Sequence, residues 1–423
     1  MHLTIVGGGW AGLSAAVRAV QRGWTVTLWE ASRQWGGRAR SLEHRGRQLD
    51  NGQHILIGAY TETLALMHTL GVRPEEVLHR QPLSVLRPDG SGFRLPDVPP
   101  PWNLLIGVLR APGWSWQDRW SLLRTAMRWQ REHFDCPAQA TVADVCASLT
   151  ARVMDQLIEP LCVSALNTPS RAASGAVFLR VLRDALFSST GGSDLLLPTT
   201  DLGAMLPDAA MHWLQQHGAD IRLGQRWQPD SSPSGIVVLA CPAWEAARLT
   251  RDRHPDWSAQ AHALQHAAIT TVYAQHPDPG FRLPHPMMAL SSDAQRPVQF
   301  VFDRGQLFGP SQNGLLACVV SDSSGTREAM EQQVLAQLRD QLSNSLCQLN
   351  GNDWRVVQTV VEKRATFVCS PGVERPGSVI GPDWWACGDY VAGPYPATLE
   401  GAVRSGREVI DQVAQARERG GRL

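Results

Sequence analysis

The sequence predicts an α/β fold, a Rossmann-like nucleotide-binding domain interleaved with an α+β domain. Three observations predict it. The chain opens on a strand, glycine turn, helix and second strand between His2 and Glu30; apolar strands near 235–240 and 384–387 return to that unit late in the chain; and residues 251–366 alternate short apolar runs with turns around one helix. The expected organisation is a nucleotide-binding part at 1–71, a mostly helical region at 72–190, a second nucleotide-binding part at 191–250, an antiparallel-sheet domain at 251–366 and a third nucleotide-binding part at 367–423.

The opening unit carries the sharpest motif. Gly7-Gly8-Gly9-Trp10-Ala11-Gly12 has G-x-G-x-x-G spacing directly after the apolar strand 2–6. Gly7 permits the tight turn, Gly9 lets backbone approach a pyrophosphate, and Gly12 lets helix and strand pack closely. The following helix, expected over 13–22, points its N-terminus at phosphates. Glu30, at the end of the second strand, is placed to accept from a ribose hydroxyl.

Composition excludes several classes. In 423 residues, 39 basic groups balance 39 acidic ones, so no nucleic-acid partner is indicated. Eight cysteines show no C-x-x-C pair, which argues against a zinc site or disulfide framework and fits a reducing compartment. A strand beginning at His2 leaves no room for a cleaved leader, and no apolar run reaches the length of a membrane span. Sixteen tryptophans against four tyrosines point to large apolar surfaces, a greasy ligand or membrane contact, beside the simpler reading of an aromatic core.

Gln34-Trp35-Gly36-Gly37-Arg38-Ala39 follows Glu30 and resembles the glycine–glycine–arginine signature of the FAD-dependent amine oxidase and phytoene desaturase superfamily. The resemblance implies FAD, a glutathione-reductase-type binding domain, and Gly36, Gly37 and Arg38 near the diphosphate or flavin. Asn51-Gly52-Gln53-His54, followed by Gly58-Ala59-Tyr60, is similar to the squalene-associated branch, the hydroxysqualene dehydroxylases. Asp50, Asn51, Gln53, His54 and Tyr60 form a polar cluster in apolar sequence, either a hydrogen-bonded turn or a group beside the flavin. Ala165-Leu166-Asn167-Thr168-Pro169 and Pro396-Ala397-Thr398-Leu399-Glu400-Gly401 support the same branch. At the C-terminal end Gly388-Asp389 closes the last strand. The resemblance implies that Asp389 meets the ribityl chain and that the helix start at Thr398 and Leu399 faces the flavin's pyrimidine edge, where its N–H groups suit negative charge. The segment near Trp227, expected to begin or continue a strand, resembles the one lying against adenine.

Between these ends, a hairpin is expected in 82–101 and helices over 61–70, 141–151, 152–166, 174–187 and 202–217. Thr141 and Asp144 suggest a capping box, and Glu159-Pro160 a bend. Asp155 and Glu159 share a helix face, read as a solvated edge or as acids lining a greasy cavity. Residues 102–130 carry Trp102, Trp114, Trp116, Trp120 and Trp129, four arginines and one acid, in two helical pieces split by Pro112-Gly113. Trp116, Trp120, Leu123 and Met127 form one face. It either packs on the substrate domain or lies at a membrane surface.

The implied activity is reductive dehydroxylation of hydroxysqualene to squalene by reduced FAD. It implies a long isoprenoid substrate, a cytoplasmic or inner-membrane-peripheral location and association with other squalene-pathway enzymes. His54 is the candidate acid or acid-positioning group, with Tyr60 behind it; a histidine bonded to backbone near the cofactor is the plainer reading. The alternatives are an oxidative desaturase of a linear carotenoid precursor and a non-catalytic FAD-binding scaffold for terpene enzymes. An amine oxidase would need an aromatic cage over the flavin, for which Tyr390 and Tyr395 are the candidates.

Overall fold

A computed structural model describes residues 1–187, 190–229, 235–346 and 354–420. Strand His2–Val6 runs into helix Trp10–Gln21 and then strand Thr25–Glu30. The helix starts three residues earlier than periodicity suggests, because Gly9 stands at its N-cap position and Gly12 falls inside the first turn. A Cβ on Gly12 would lie 1.9 Å from the Gly7 carbonyl oxygen, and Gly7 itself has φ +118°. Both glycines are therefore required by the turn.

Six strands form the nucleotide-binding sheet, in the order Asp220–Leu223, Thr25–Glu30, His2–Val6, Ile236–Leu239, Trp384–Ala386 and Val379–Gly381. The first five are parallel and the last is antiparallel to its neighbour. Three separated stretches of chain thus meet in one layer. The C-terminal helix Leu399–Gly420 crosses the first helix closely: Ser14 Oγ donates to the Val403 carbonyl at 2.7 Å, and a Cβ on Gly406 would stand 2.2 Å from the Ala11 oxygen.

The second sheet is antiparallel, in the order Met287–Ala289, Phe300–Asp303, Leu315–Ser321, His266–Gln275 and Arg355–Phe367. Helix Arg327–Leu346 interrupts it in sequence and packs on it in space. Hairpin Ser84–Leu86/Gly92–Arg94 lies where expected.

Several expectations fail for local reasons. The helix expected over 141–151 stops at Val145, although Thr141 and Asp144 do form the capping box; Thr150 caps a new helix at Ala151 instead. Short hydroxyl side chains prefer such ends to helix interiors. Pro207 splits the helix expected over 202–217 into Leu202–Met205 and Pro207–Gln216. In the 152–166 stretch the irregularity is a wide π turn, Met154–Ile158, just before Glu159-Pro160. Trp227 lies in an irregular segment, not a strand. Asp155 is exposed and paired with Arg87, while Glu159 accepts from the Ser170 amide, so neither acid lines the cavity described below.

Candidate active site

One cavity of ≈ 600 Å³ runs from the nucleotide sheet to the antiparallel sheet. Its first end is built mostly from backbone. Gly7, Gly9, Trp10 and Ala11 line it, and the first helix begins there with no side-chain cap and no acid in its first turn. Its leading N–H groups thus meet the cavity without a side-chain partner, which is the arrangement that holds phosphate. Gly36 and Gly37 line the same end; the Gly36 amide donates to the Gly8 carbonyl at 2.9 Å, and both glycines have positive φ. Gly12 lies behind this wall and sets the packing.

Glu30 reaches the cavity with its carboxylate held by two amides, Gly8 and Ser32, each at 2.7 Å. That fixes it as an acceptor for a sugar hydroxyl. Trp227, buried, lines the wall beside it and packs edge-on against Trp384. Arg38 and Asp389, assigned separately from sequence, are partners: Arg38 Nη2 donates to Asp389 Oδ1 at 2.5 Å, and Nη1 donates to the Ala365 carbonyl. Gly388 has φ +155° and donates to Ser405 Oγ. Thr398 accepts from the Gly401 amide at 3.0 Å, so the final helix is capped where it meets the cavity, with Leu399 beside it. The Tyr390 hydroxyl is buried in this wall with no hydrogen-bond partner among the described residues, and burial drives its pKa well above the usual phenol range.

The polar cluster around residue 50 divides. Asp50 does not reach the cavity. It accepts from Arg304 at 3.1 Å and from the Leu202 amide at 2.9 Å, while Tyr273 Oη bonds its backbone on both sides. Arg304 and Asp50 are both fully buried and tie the antiparallel domain to the nucleotide domain. Gln53 lines the cavity but also accepts from Arg304 at 3.4 Å. Asn51 donates to the Arg38 carbonyl and to Glu362 Oε2, and with Gly52 lines the wall. His54 Nδ1 donates to the Gly52 carbonyl at 3.2 Å, which leaves Nε2 as the acceptor nitrogen. Desolvation in the wall pulls the His54 pKa down to about 4, against the bond to Gly52, and the Arg38 charge adds to the drop. Burial and the Glu400 charge hold the Tyr60 phenol well above its ordinary range.

The far end is mostly apolar and comes from strands the motifs did not single out: Ile269, Phe300, Phe302 and Val319, closed by Val163 and Ala165 of helix Glu159–Leu166. Asn167 bonds Thr366 Oγ1 at 3.0 Å and the Asp322 amide at 3.0 Å, joining this helix to the sheet. Only Asn167 among the wall's polar groups here had a local signal. Tyr395 donates to Asp184 at 2.9 Å and is not part of the cavity wall, so Tyr390 and Tyr395 do not form a two-ring cage.

The family model for flavin-containing amine oxidoreductases matches residues 10–228, more than half of the chain and the stretch that holds most of the backbone cradle. The chain belongs to that family. It is an FAD-dependent oxidoreductase, and the amide cradle, the anchored Glu30 and the unpartnered Tyr390 hydroxyl fit that group. Family members similar to it over their whole length include the hydroxysqualene dehydroxylases of Rhodopseudomonas palustris (25% identical, 97% of this chain and 98% of that one) and Zymomonas mobilis (25%, 96% and 97%). The fold is that of the putative protoporphyrinogen oxidase from Exiguobacterium (TM-score 0.67, 16% identical, 98% of each chain).

Proposed function

We propose that this family member removes the hydroxyl of hydroxysqualene to give squalene. The observation that carries the reading is a flavin cradle opening directly into an apolar arm. The end-to-end similarity to two hydroxysqualene dehydroxylases supports it. In the reaction the allylic C–O bond breaks, the oxygen leaves as water after gaining a proton, and hydride closes the carbon. Reduced flavin, when bound, supplies that hydride.

The chain's own residues supply the rest. Hydroxide is a poor leaving group, since bulk water has a pKa of about 15.7, so the departing oxygen needs a proton or a strong donor. The ring proton of His54 is on Nδ1, held by the Gly52 carbonyl; its Nε2 therefore accepts from the substrate hydroxyl and orients it. Tyr60 keeps its phenol proton near pH 7 and is a neutral donor in the wall, as is Tyr390. Ile269, Phe300 and Phe302 exclude water from the cation, and the two phenylalanines offer it π-faces.

Anaerobic, chemically reduced enzyme given hydroxysqualene should oxidise its flavin and release squalene. Unchanged alcohol, with oxidised flavin that instead accepts hydride from a linear carotenoid precursor, would establish the desaturase. His54→Ala should retain FAD and lose turnover by on the order of 10- to 100-fold, the cost of mispositioning. The loss should be flat between pH 6 and 8, because the His54 pKa of about 4 lies below that window. A wild-type rate that falls as pH rises through the ordinary histidine range, and loses that dependence in the variant, would make His54 the acid.

A further inference from the structure

Helix Trp116–Arg131 is apolar on two opposite sides. Its inward side, Leu122, Thr125, Ala126 and Trp129, is buried. A surface helix with one buried face normally carries polar residues on the other. Here the outward stripe is Trp116, Trp120 and Met127, which are 73%, 58% and 54% exposed, with Leu123 half-buried among them. At 3.6 residues per turn these four fall within about 60° of the helix surface. The stripe therefore does not pack on the substrate domain.

The preceding helix repeats the pattern. In Trp102–Arg110, Leu104 and Val108 are buried while Trp102 and Leu109 stand 61% and 44% exposed. The two helices pack against each other. Five of the nine large hydrophobic residues exposed among the described residues thus belong to this one plate, including every exposed tryptophan.

Arginines border the apolar stripe. Arg119 flanks it on one side, with its guanidinium 5.2 Å from the Trp116 ring; Arg124 and Arg131 flank it on the other, and Arg110 does the same on the first helix. The single acid of the two helices, Asp118, is turned inward, where it completes the capping box with Ser115 and accepts from Thr150. An isologous pairing of two such plates would set arginines against arginines. An anionic surface neutralises them.

We propose that this plate docks on the interface of an anionic lipid bilayer, with the tryptophans at headgroup depth and the arginines on lipid phosphates. No helix among the described residues is long and apolar enough to cross a membrane, so the contact is peripheral. The plate is also wired to the cavity. Thr150 Oγ1 donates to Asp118 at 2.7 Å and Trp114 Nε1 to Gln156 at 2.8 Å, on the helical run 151–166. Val163, Ser164 and Ala165 at the far end of that run line the cavity, about 20 Å from Thr150 along the axis. The docking inference does not require that the substrate be hydroxysqualene.

The FAD-loaded protein should co-sediment with vesicles of equimolar phosphatidylglycerol and phosphatidylcholine, and its tryptophan emission should be quenched by bromine-labelled acyl chains. Trp116→Ser/Trp120→Ser should weaken vesicle binding about tenfold or more, and Arg110→Glu/Arg124→Glu about tenfold in low salt. Unchanged flavin content and thermal midpoint identify both variants as folded. Wild-type protein that ignores these vesicles, or a tryptophan variant that binds them equally well, overturns the proposal. So does a concentration-dependent dimer that the tryptophan variant abolishes, which would assign the plate to a second copy. Because binding is read without turnover, an inactive enzyme on hydroxysqualene leaves this result standing.

Discussion

The two ends of the cavity are built in different ways. At the nucleotide end, backbone does most of the binding: amides of the first helix, the Gly7 turn, Gly36 and Gly37, and a carboxylate held by two amides. At the sheet end, side chains do it, and they come from three strands and a helix. A backbone site tolerates almost any outward side chain but not an added Cβ. A side-chain site tolerates reshaping but loses specificity with each truncation. Sensitivity to substitution is therefore local in the first and distributed in the second.

That contrast can be broken most severely where the two ends are joined. Arg304→Met leaves Asp50 buried without its cation, and stability should fall by about 3–5 kcal/mol, read as a drop in thermal midpoint, with flavin and substrate binding lost together. Replacing both partners with apolar groups should recover much of that loss. Gly12→Ala tests the backbone end alone. Its Cβ meets the Gly7 oxygen, and overpacking there should cost about 3 kcal/mol and appear as flavin-free protein.

The sheet end should respond in the opposite sense. Ile269→Ala should keep the flavin and raise KM for the isoprenoid about tenfold, because the shortened side chain buries less apolar surface against the substrate. A variant that sheds flavin instead would erase the distinction between the ends. Thr398→Val removes the acceptor for the Gly401 amide and should cost about 1 kcal/mol, seen in the thermal midpoint with only a small change in flavin affinity.

The same contrast explains what could be read from residue order. Glycines that a turn requires leave an identity at a fixed spacing, so Gly7, Gly9, Gly12, Gly36 and Gly37 are legible along the chain itself. Gly388-Asp389 and Thr398, at the other end of the chain, are legible only through the family resemblance. Ile269, Phe300 and Val319 are not, because an apolar residue on a strand looks alike whether it faces a cavity or a core. The pairing of Asp50 with Arg304 has no local signal, the two being 254 positions apart. Asp50 and His54 stand in one polar cluster by sequence, and the fold sends them to opposite tasks, one to a buried ion pair and one to the cavity wall.

By itself the sequence determined the flavin-binding layer, the antiparallel sheet with its long inserted helix Arg327–Leu346, and the periodic stripe of Trp116, Trp120, Leu123 and Met127, but not the short helix Arg304–Phe308 between two of the strands. These depend on spacing along the chain, which sets local geometry and which side chains share a face. Tertiary structure alone decided which way that stripe points, which wall residues meet, that Arg38 and Asp389 are partners, and that burial lowers the His54 pKa. The physical reason is that burial, charge pairing and desolvation depend on neighbours brought together by folding, and no window along the chain contains them.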